Sequence, residues 1–219
     1  MAALALFITD WPIGVWLAAM RTVDPAADVR AFPDKLGRIE DIHYAVAWKP
    51  PANALAALPN LKAVFSLGAG VDAILADTTV PDVPLVRVVE PDLTKRMSEH
   101  VVMHVLMHHR QQKRIEGNQQ KRIWDSFPTH AAGALSVGIM GFGIMGRDVG
   151  EKLRNLGFKV SGWSQSAKHA EGIATFTGRE ELDGFLAQTD ILVCLLPLTR
   201  ETAGILNRVL IGKLRRNGP

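Results

Sequence analysis

Ten residues constrain this chain more than any others: Val137-Gly-Ile-Met-Gly-Phe-Gly-Ile-Met-Gly146. An apolar run ends in Gly141-x-Gly143-x-x-Gly146 and leads into a helical pattern. A turn of this kind suits a dinucleotide. Gly141 turns the chain tightly off a strand. Gly143, without a Cβ, lets the backbone approach a pyrophosphate. Gly146 lets the following helix pack close to the sheet. That helix aims its N-terminal N–H groups and positive dipole end at the phosphates. Three glycines alone are weak, so the context decides. Ser136 to Met140 reads as a buried strand. Met145, Val149, Leu153 and Leu156 then recur at helical spacing. Lys152 and Arg154 occupy the last turn, Gly157 stops it, and Lys159 to Trp163 reads as a second strand.

The surroundings are those of an ordinary globular chain. Its 219 residues carry a formal charge of +3, a mild basicity that suits an anionic cofactor or substrate. No long Lys/Arg run marks a nucleic-acid surface, and Arg110 to Arg122, interleaved with Gln, reads as a solvated helix face. The single cysteine, Cys194, sits in an apolar run and reads as a buried, inert thiol. One cysteine allows no internal disulfide, which fits a cytoplasmic protein. The apolar N-terminus lacks a basic flank and carries Asp10, so it reads as strand Ala3–Thr9 and helix Pro12–Met20 rather than a signal peptide.

Residues 1–97 read as a small α/β domain. Further strands are expected at Asp28–Phe32, His43–Trp48, Lys62–Leu67 and Leu85–Val89, with short helices at Asn53–Leu58 and Val71–Ala76. Residues 98–134 read as a linking helix, N-capped by Ser98 and running to about Gly117, followed by a connector with Trp124, Phe127 and Pro128. Residues 135–219 read as half of a dinucleotide-binding domain: two strands around the glycine turn, a helix Glu180–Gln188, a third strand Asp190–Leu196 and a helix Glu201–Leu214. A half-domain predicts that the chain is a fragment.

Together these segments resemble the D-isomer-specific 2-hydroxyacid dehydrogenases, in particular their glyoxylate/hydroxypyruvate reductase branch. The matching stretches are Leu61-Lys-Ala-Val-Phe-Ser-Leu-Gly-Ala-Gly-Val-Asp72, the glycine turn, Gly162-Trp-Ser-Gln-Ser166 and Leu195-Leu-Pro-Leu-Thr-Arg-Glu-Thr202. The resemblance implies a Rossmann-like dinucleotide-binding domain, here incomplete, plus a flavodoxin-like substrate domain. It implies NADPH-dependent reduction of a small 2-keto acid by hydride transfer, in a homodimer. Gly141, Phe142, Gly143, Ile144, Met145 and Gly146 then hold the cofactor. Leu196, Pro197 and Leu198 resemble the loop beside the nicotinamide, with Thr202 assisting, and Met97 resembles a neighbour of that ring. Leu67, Gly68, Ala69 and Gly70 resemble the loop whose amides take the substrate carboxylate, and Trp48 resembles an aromatic of the same pocket.

Cofactor choice has a physical basis as well. NAD-type domains end the second strand in Asp or Glu to bind the ribose 2′-OH. Here Ser164 stands there, followed by Gln165, Ser166 and Lys168. No carboxylate repels a 2′-phosphate, while two hydroxyls and an ammonium can bind one. NADPH is therefore expected over NADH. The family's catalytic Arg, Glu and His are expected beyond Pro219, and none of the seven histidines here matches the catalytic one.

Three other readings are weaker. Glu99, His100, His104, His108 and His109 imitate a metal site, because histidines recur at every fourth residue. Their order is not that of a zinc-binding helix, and the helix already serves as a packed link or subunit interface, so no metal is expected. A cofactor-binding corepressor of the same fold is an alternative that needs an exposed peptide groove. A nucleic-acid-binding domain rests on basicity alone.

Overall fold

Alternation of short apolar runs with amphipathic segments produces two α/β units, each on a parallel sheet. The computed structural model describes residues 2–215; the last four residues of the expected half-domain lie outside the described residues. One unit comprises Met1–Val89 with Pro197–Arg200, the other Glu90–Leu196 with Glu201–Pro219. Among the described residues no helix is long and apolar enough to cross a membrane.

The first unit contains β1 (Ala3–Ile8), α1 (Ile13–Val23), β2 (Val29–Ala31), β3 (Ile42–Trp48), β4 (Ala63–Ser66), α2 (Asp72–Leu75) and β5 (Leu85–Val86). The strands pair in parallel in the order β2-β1-β3-β4-β5, which is the flavodoxin-like order. Period-two alternation serves both faces of β1. Ala3, Ala5 and Phe7 pack with Leu55, Leu58 and Val64. Leu6 and Ile8 pack under Ile13, Trp16, Leu17 and Met20 of α1.

The expected helix at Asn53–Leu58 is absent; the segment is a run of turns. Asn53 has a left-handed φ of 64°, and its N–H donates to the Asp77 carboxylate. Ala54 and Leu58 bond to carbonyls three residues back rather than four. Leu55 and Leu58 are still buried, so apolar spacing alone suggested a helix where tight turns do the same packing.

The second unit contains α3 (Pro91–His109), α4 (Gln112–Gln120), β6 (Ser136–Met140), α5 (Ile144–Asn155), β7 (Lys159–Ser164), β8 (Ala174–Thr177), α6 (Leu182–Ala187), β9 (Ile191–Cys194) and α7 (Arg208–Ile211). Its parallel order is β8-β7-β6-β9, the 3-2-1-4 arrangement of a Rossmann sheet. The sheet thus holds four strands among the described residues rather than the three expected, β8 being the addition.

The linking helix also differs. It starts at Pro91, capped by the Glu90 carboxylate, which accepts the N–H groups of Asp92 and Leu93. Proline at the first helical position has no N–H to satisfy and has φ pre-set for the helix. Ser98 is therefore not a cap. It is fully buried, and its hydroxyl donates to Asp148 of α5. The helix stops at His109 because Gln111 turns left-handed, with φ 53°. The helix expected over Glu201–Leu214 shortens to α7, preceded by turns around Gly204 (φ 69°) and capped by the Asn207 side chain on Leu210 N–H. Leu156 is exposed rather than part of the buried stripe, and Cys194 is half-buried rather than buried.

Candidate cofactor and substrate sites

The glycine turn is held by backbone bonds from below. Gly141 N–H and Phe142 N–H both donate to Trp163 O, at 2.9 and 3.0 Å. Gly141 has φ 95°, and a Cβ there would lie 2.7 Å from the Leu195 carbonyl carbon, so the chain leaving β9 passes directly against the turn. The Phe142 ring is fully buried and lies where any side chain on Gly162 would go, 2.3 Å from a Cβ. Phe142 accordingly secures the turn from inside. Gly143 is the N-cap of α5; a Cβ on it would meet nothing within 4 Å. Ile144, Met145 and Gly146 supply first-turn amides that have no acceptor within the helix. Open space at Gly143, first-turn amides and the helix dipole together fit a pyrophosphate.

At the tip of β7 the Ser164 hydroxyl donates to Ser166 O at 2.8 Å, closing a tight turn. Gln165, Ser166 and Lys168 are exposed beyond it. The Thr175 hydroxyl donates to Lys168 O at 2.9 Å and fixes the loop backbone. No Asp or Glu occurs from Ser164 to Ala170. Leu196 packs partly buried against the Met140–Trp163 core, and Thr202 sits in a turn closed by Ile205 N–H. Pro197 and Leu198 group with the first unit, Leu198 being exposed.

Met97 lies on α3, partly buried against the core of the second unit. With His100, His104 and Ile191–Leu195 it lines an open cavity of about 460 Å³. The His100 and His104 rings are 4.4 Å apart edge-to-face, but among the described residues no three potential ligands gather around a metal position.

In the first unit, Leu67, Gly68, Ala69 and Gly70 follow β4 directly. Leu67 N–H donates to Ala47 O at 3.1 Å, and Gly68 N–H donates to Ser66 Oγ at 3.2 Å. Ala69 and Gly70 N–H take part in no backbone–backbone hydrogen bond among the described residues. The Ser66 hydroxyl lies 3.0 Å from both Gly68 O and Gly70 O, so one buried side chain closes the loop on itself. Sequence reasoning passes over Ser66, although a serine directly before a glycine-rich turn is the signal for such a closure. Trp48, at the tip of β3, shares a hollow of about 60 Å³ with Ser66, Gly70 and Asp72. α2 spans only four residues. The free donors at this strand end are therefore the loop amides rather than a helix end.

Residues 102–218 match the NAD binding domain of the D-isomer specific 2-hydroxyacid dehydrogenases. The chain is 38% identical over 208 residues to glyoxylate/hydroxypyruvate reductase A of Yersinia enterocolitica, covering 92% of this chain and 66% of that protein. It thus spans about two thirds of such a relative. Among solved structures, it matches the NADPH-dependent glyoxylate/hydroxypyruvate reductase of Sinorhizobium meliloti in complex with NADP and sulfate, with TM-score 0.91 and 41% identity over 100% of this chain and 70% of that one. A probable 2-hydroxyacid dehydrogenase of Rhizobium etli, in complex with NADP, HEPES and L(+)-tartaric acid, gives TM-score 0.90 and 42% identity, with 100% and 69% covered. With the glycine turn, both sheet orders and these similarities in agreement, the chain belongs to the D-isomer specific 2-hydroxyacid dehydrogenase family.

Proposed function

We propose that this chain carries the NADPH site and the carboxylate-binding loop of a reductase for small 2-keto acids, glyoxylate or hydroxypyruvate. The second unit takes the cofactor and the first takes the substrate. The observation that carries the cofactor choice is the tip of β7, where Ser164, Gln165, Ser166 and Lys168 stand without a carboxylate. Relatives named glyoxylate/hydroxypyruvate reductase, and structures solved with NADP, support the same reading.

The bound cofactor supplies a hydride for the keto carbon. The protein's part is binding and orientation. Amides of Ile144, Met145 and Gly146 would hold the pyrophosphate, and Lys168 would neutralise the 2′-phosphate beside the Ser164 and Ser166 hydroxyls. Ala69 and Gly70 N–H groups hold the substrate carboxylate, and Trp48 bounds its small side chain. Fixed donors of this kind save the entropy of orienting the keto acid. The protein is proposed to work in the cytoplasm as a homodimer; the lone Cys194 is compatible with a reducing compartment.

Titration of the chain with NADPH and NADH, followed by cofactor fluorescence, tests the reading. NADPH is expected to bind at least about tenfold tighter, as one charge-assisted contact set would provide. Equal dissociation constants overturn the preference. Glyoxylate-dependent NADPH oxidation by the protein at the length of its relatives tests the reaction, and cofactor binding without turnover there would favour a corepressor-type role.

A further inference from the structure

Trp48 does not hold its place alone. Ile8 and Trp48 end adjacent parallel strands in register, at the carboxyl end of the sheet, where α/β proteins bind ligands. The chain leaving β1 is stapled to the chain leaving β3. Thr9 Oγ1 donates to Lys49 O at 2.9 Å, and Lys49 Nζ pairs with Asp10 at 2.5 Å. These contacts bring the Trp11 ring onto the Trp48 ring, with centroids 4.3 Å apart and planes within 10°. Trp16 extends the stack on Trp11 at 5.8 Å and 19°. The six-membered ring of Trp48 in turn occupies the space beside Gly68, where a Cβ would come within 2.4 Å of Cζ3. The Trp48 indole N–H is buried without a hydrogen-bond partner among the described residues. A polar tether therefore does not orient this ring; stacking and the Gly68 backbone do.

We infer that Trp11 is a positioning residue for the carboxylate site: by stacking on Trp48 it fixes the aromatic wall and, through Gly68, the loop that presents the Ala69 and Gly70 amides. The inference rests on the reading of 67–70 as a carboxylate site, and it deepens that reading by explaining a preference for small acids. A ring held on one face by another indole cannot swing away from a hollow of about 60 Å³. The hollow then accepts a two- or three-carbon acid and excludes an aromatic one. Stacking of two aromatic rings stabilises beyond the area it buries. That favours one rotamer over its alternatives.

The test uses the full chain and two replacements, Trp11→Leu and Trp11→Phe. Leu keeps an apolar side chain at a position that is 38% exposed, while Phe keeps a stacking ring. Oxalate serves as a non-reducible stand-in for glyoxylate, with phenylpyruvate as the bulky competitor, both measured by calorimetry. The parent is expected to bind oxalate at least about tenfold tighter than phenylpyruvate, Trp11→Leu to lose about tenfold in oxalate affinity and most of that discrimination, and Trp11→Phe to stay within about threefold. NADPH affinity is expected to be unchanged in both. Circular dichroism of the parent should show the exciton couplet of stacked indoles, diminished in Trp11→Leu. Trp11→Leu binding both acids as the parent does would overturn the positioning role alone. So would a parent without the couplet, or Trp11→Phe losing as much as Trp11→Leu. A parent that binds no oxalate would instead remove the carboxylate site itself, and this inference with it.

Discussion

A Cβ placed on Gly146 would lie 2.5 Å from the carbonyl oxygen of Gly141. The first and last glycines of the turn are thus in backbone contact, and the helix start is packed onto the strand end with no room for a methyl group. Gly143, between them, faces open space. The three glycines therefore divide into two kinds, two required by the packing of the fold and one that the fold leaves open.

That division predicts opposite outcomes for two alanine replacements. Gly146→Ala should cost about 1–3 kcal/mol of stability, since backbone must move to admit the methyl. Gly143→Ala should leave stability within about 0.5 kcal/mol, as a substitution into open space does, yet weaken NADPH binding strongly by filling the approach to the pyrophosphate. Urea melts and NADPH titrations on both variants check this. A stable Gly143→Ala protein with parental NADPH affinity would show that no pyrophosphate approaches there.

Lys168 should govern the choice between cofactors. Lys168→Glu places a carboxylate near the proposed 2′-phosphate and is expected to weaken NADPH by about tenfold or more, with NADH little changed, because charge-assisted contacts carry the difference. The ratio of the two dissociation constants is the readout. An unchanged ratio would assign the 2′-phosphate elsewhere.

Asp148 joins α3 to α5 by accepting from Ser98 and from Lys152. Burial opposes its charge, but the Lys152 and Ser98 bonds and the Lys152 charge outweigh it and hold the carboxyl below its usual range. Its contribution to stability is therefore present at neutral pH and is lost as the pH falls below about 4, where the unfolded chain takes up the proton first. Ser98→Ala should cost about 1–3 kcal/mol, because it leaves a partly buried acceptor short of a donor. Asp148→Asn should unfold with a flatter pH dependence below about 4 than the parent. Parallel curves for the two proteins would contradict the assignment.

His109 behaves in the opposite sense as a base. Burial first, then the charges of Arg110, His130 and His108, push its pKa down. Its Nδ1 is buried without a partner among the described residues, and its ring stands edge-on to Phe158 at 5.2 Å. The folded state prefers the neutral ring, so stability should fall as the pH drops below about 6.5, where the unfolded chain protonates. Melting temperatures at pH 7.5 and 5.5 should differ less in His109→Gln than in the parent. An identical difference would place the titrating group elsewhere.

Much of the fold was legible from local pattern. The glycine spacing with its flanking apolar runs identified β6, α5 and β7, because tight turning, phosphate approach and helix packing each demand glycine at a set position. Short apolar runs bounded by polar and turn residues marked β1, β3 and β4. Where the reading departed from the structure, the deciding partner was distant in sequence. β8, Ala174–Thr177, is short and only partly buried, and pairing with Ser161–Ser164 makes it a strand. Ser98 has the chemistry of a cap, but Glu90 and Pro91 start the helix earlier and Asp148, fifty residues on, claims its hydroxyl. Asn53 leaves a helical pattern because Asp77 takes its N–H. The candidate site divides in the same way. Gly143, Ser164 and Lys168 could be named as candidates from residue type and spacing, and the 67–70 loop from resemblance to the family. The closure by Ser66 was signalled locally but passed over, whereas the stacking of Trp11 on Trp48 could not be read at all, since it depends on strand tips that only the folded sheet brings side by side.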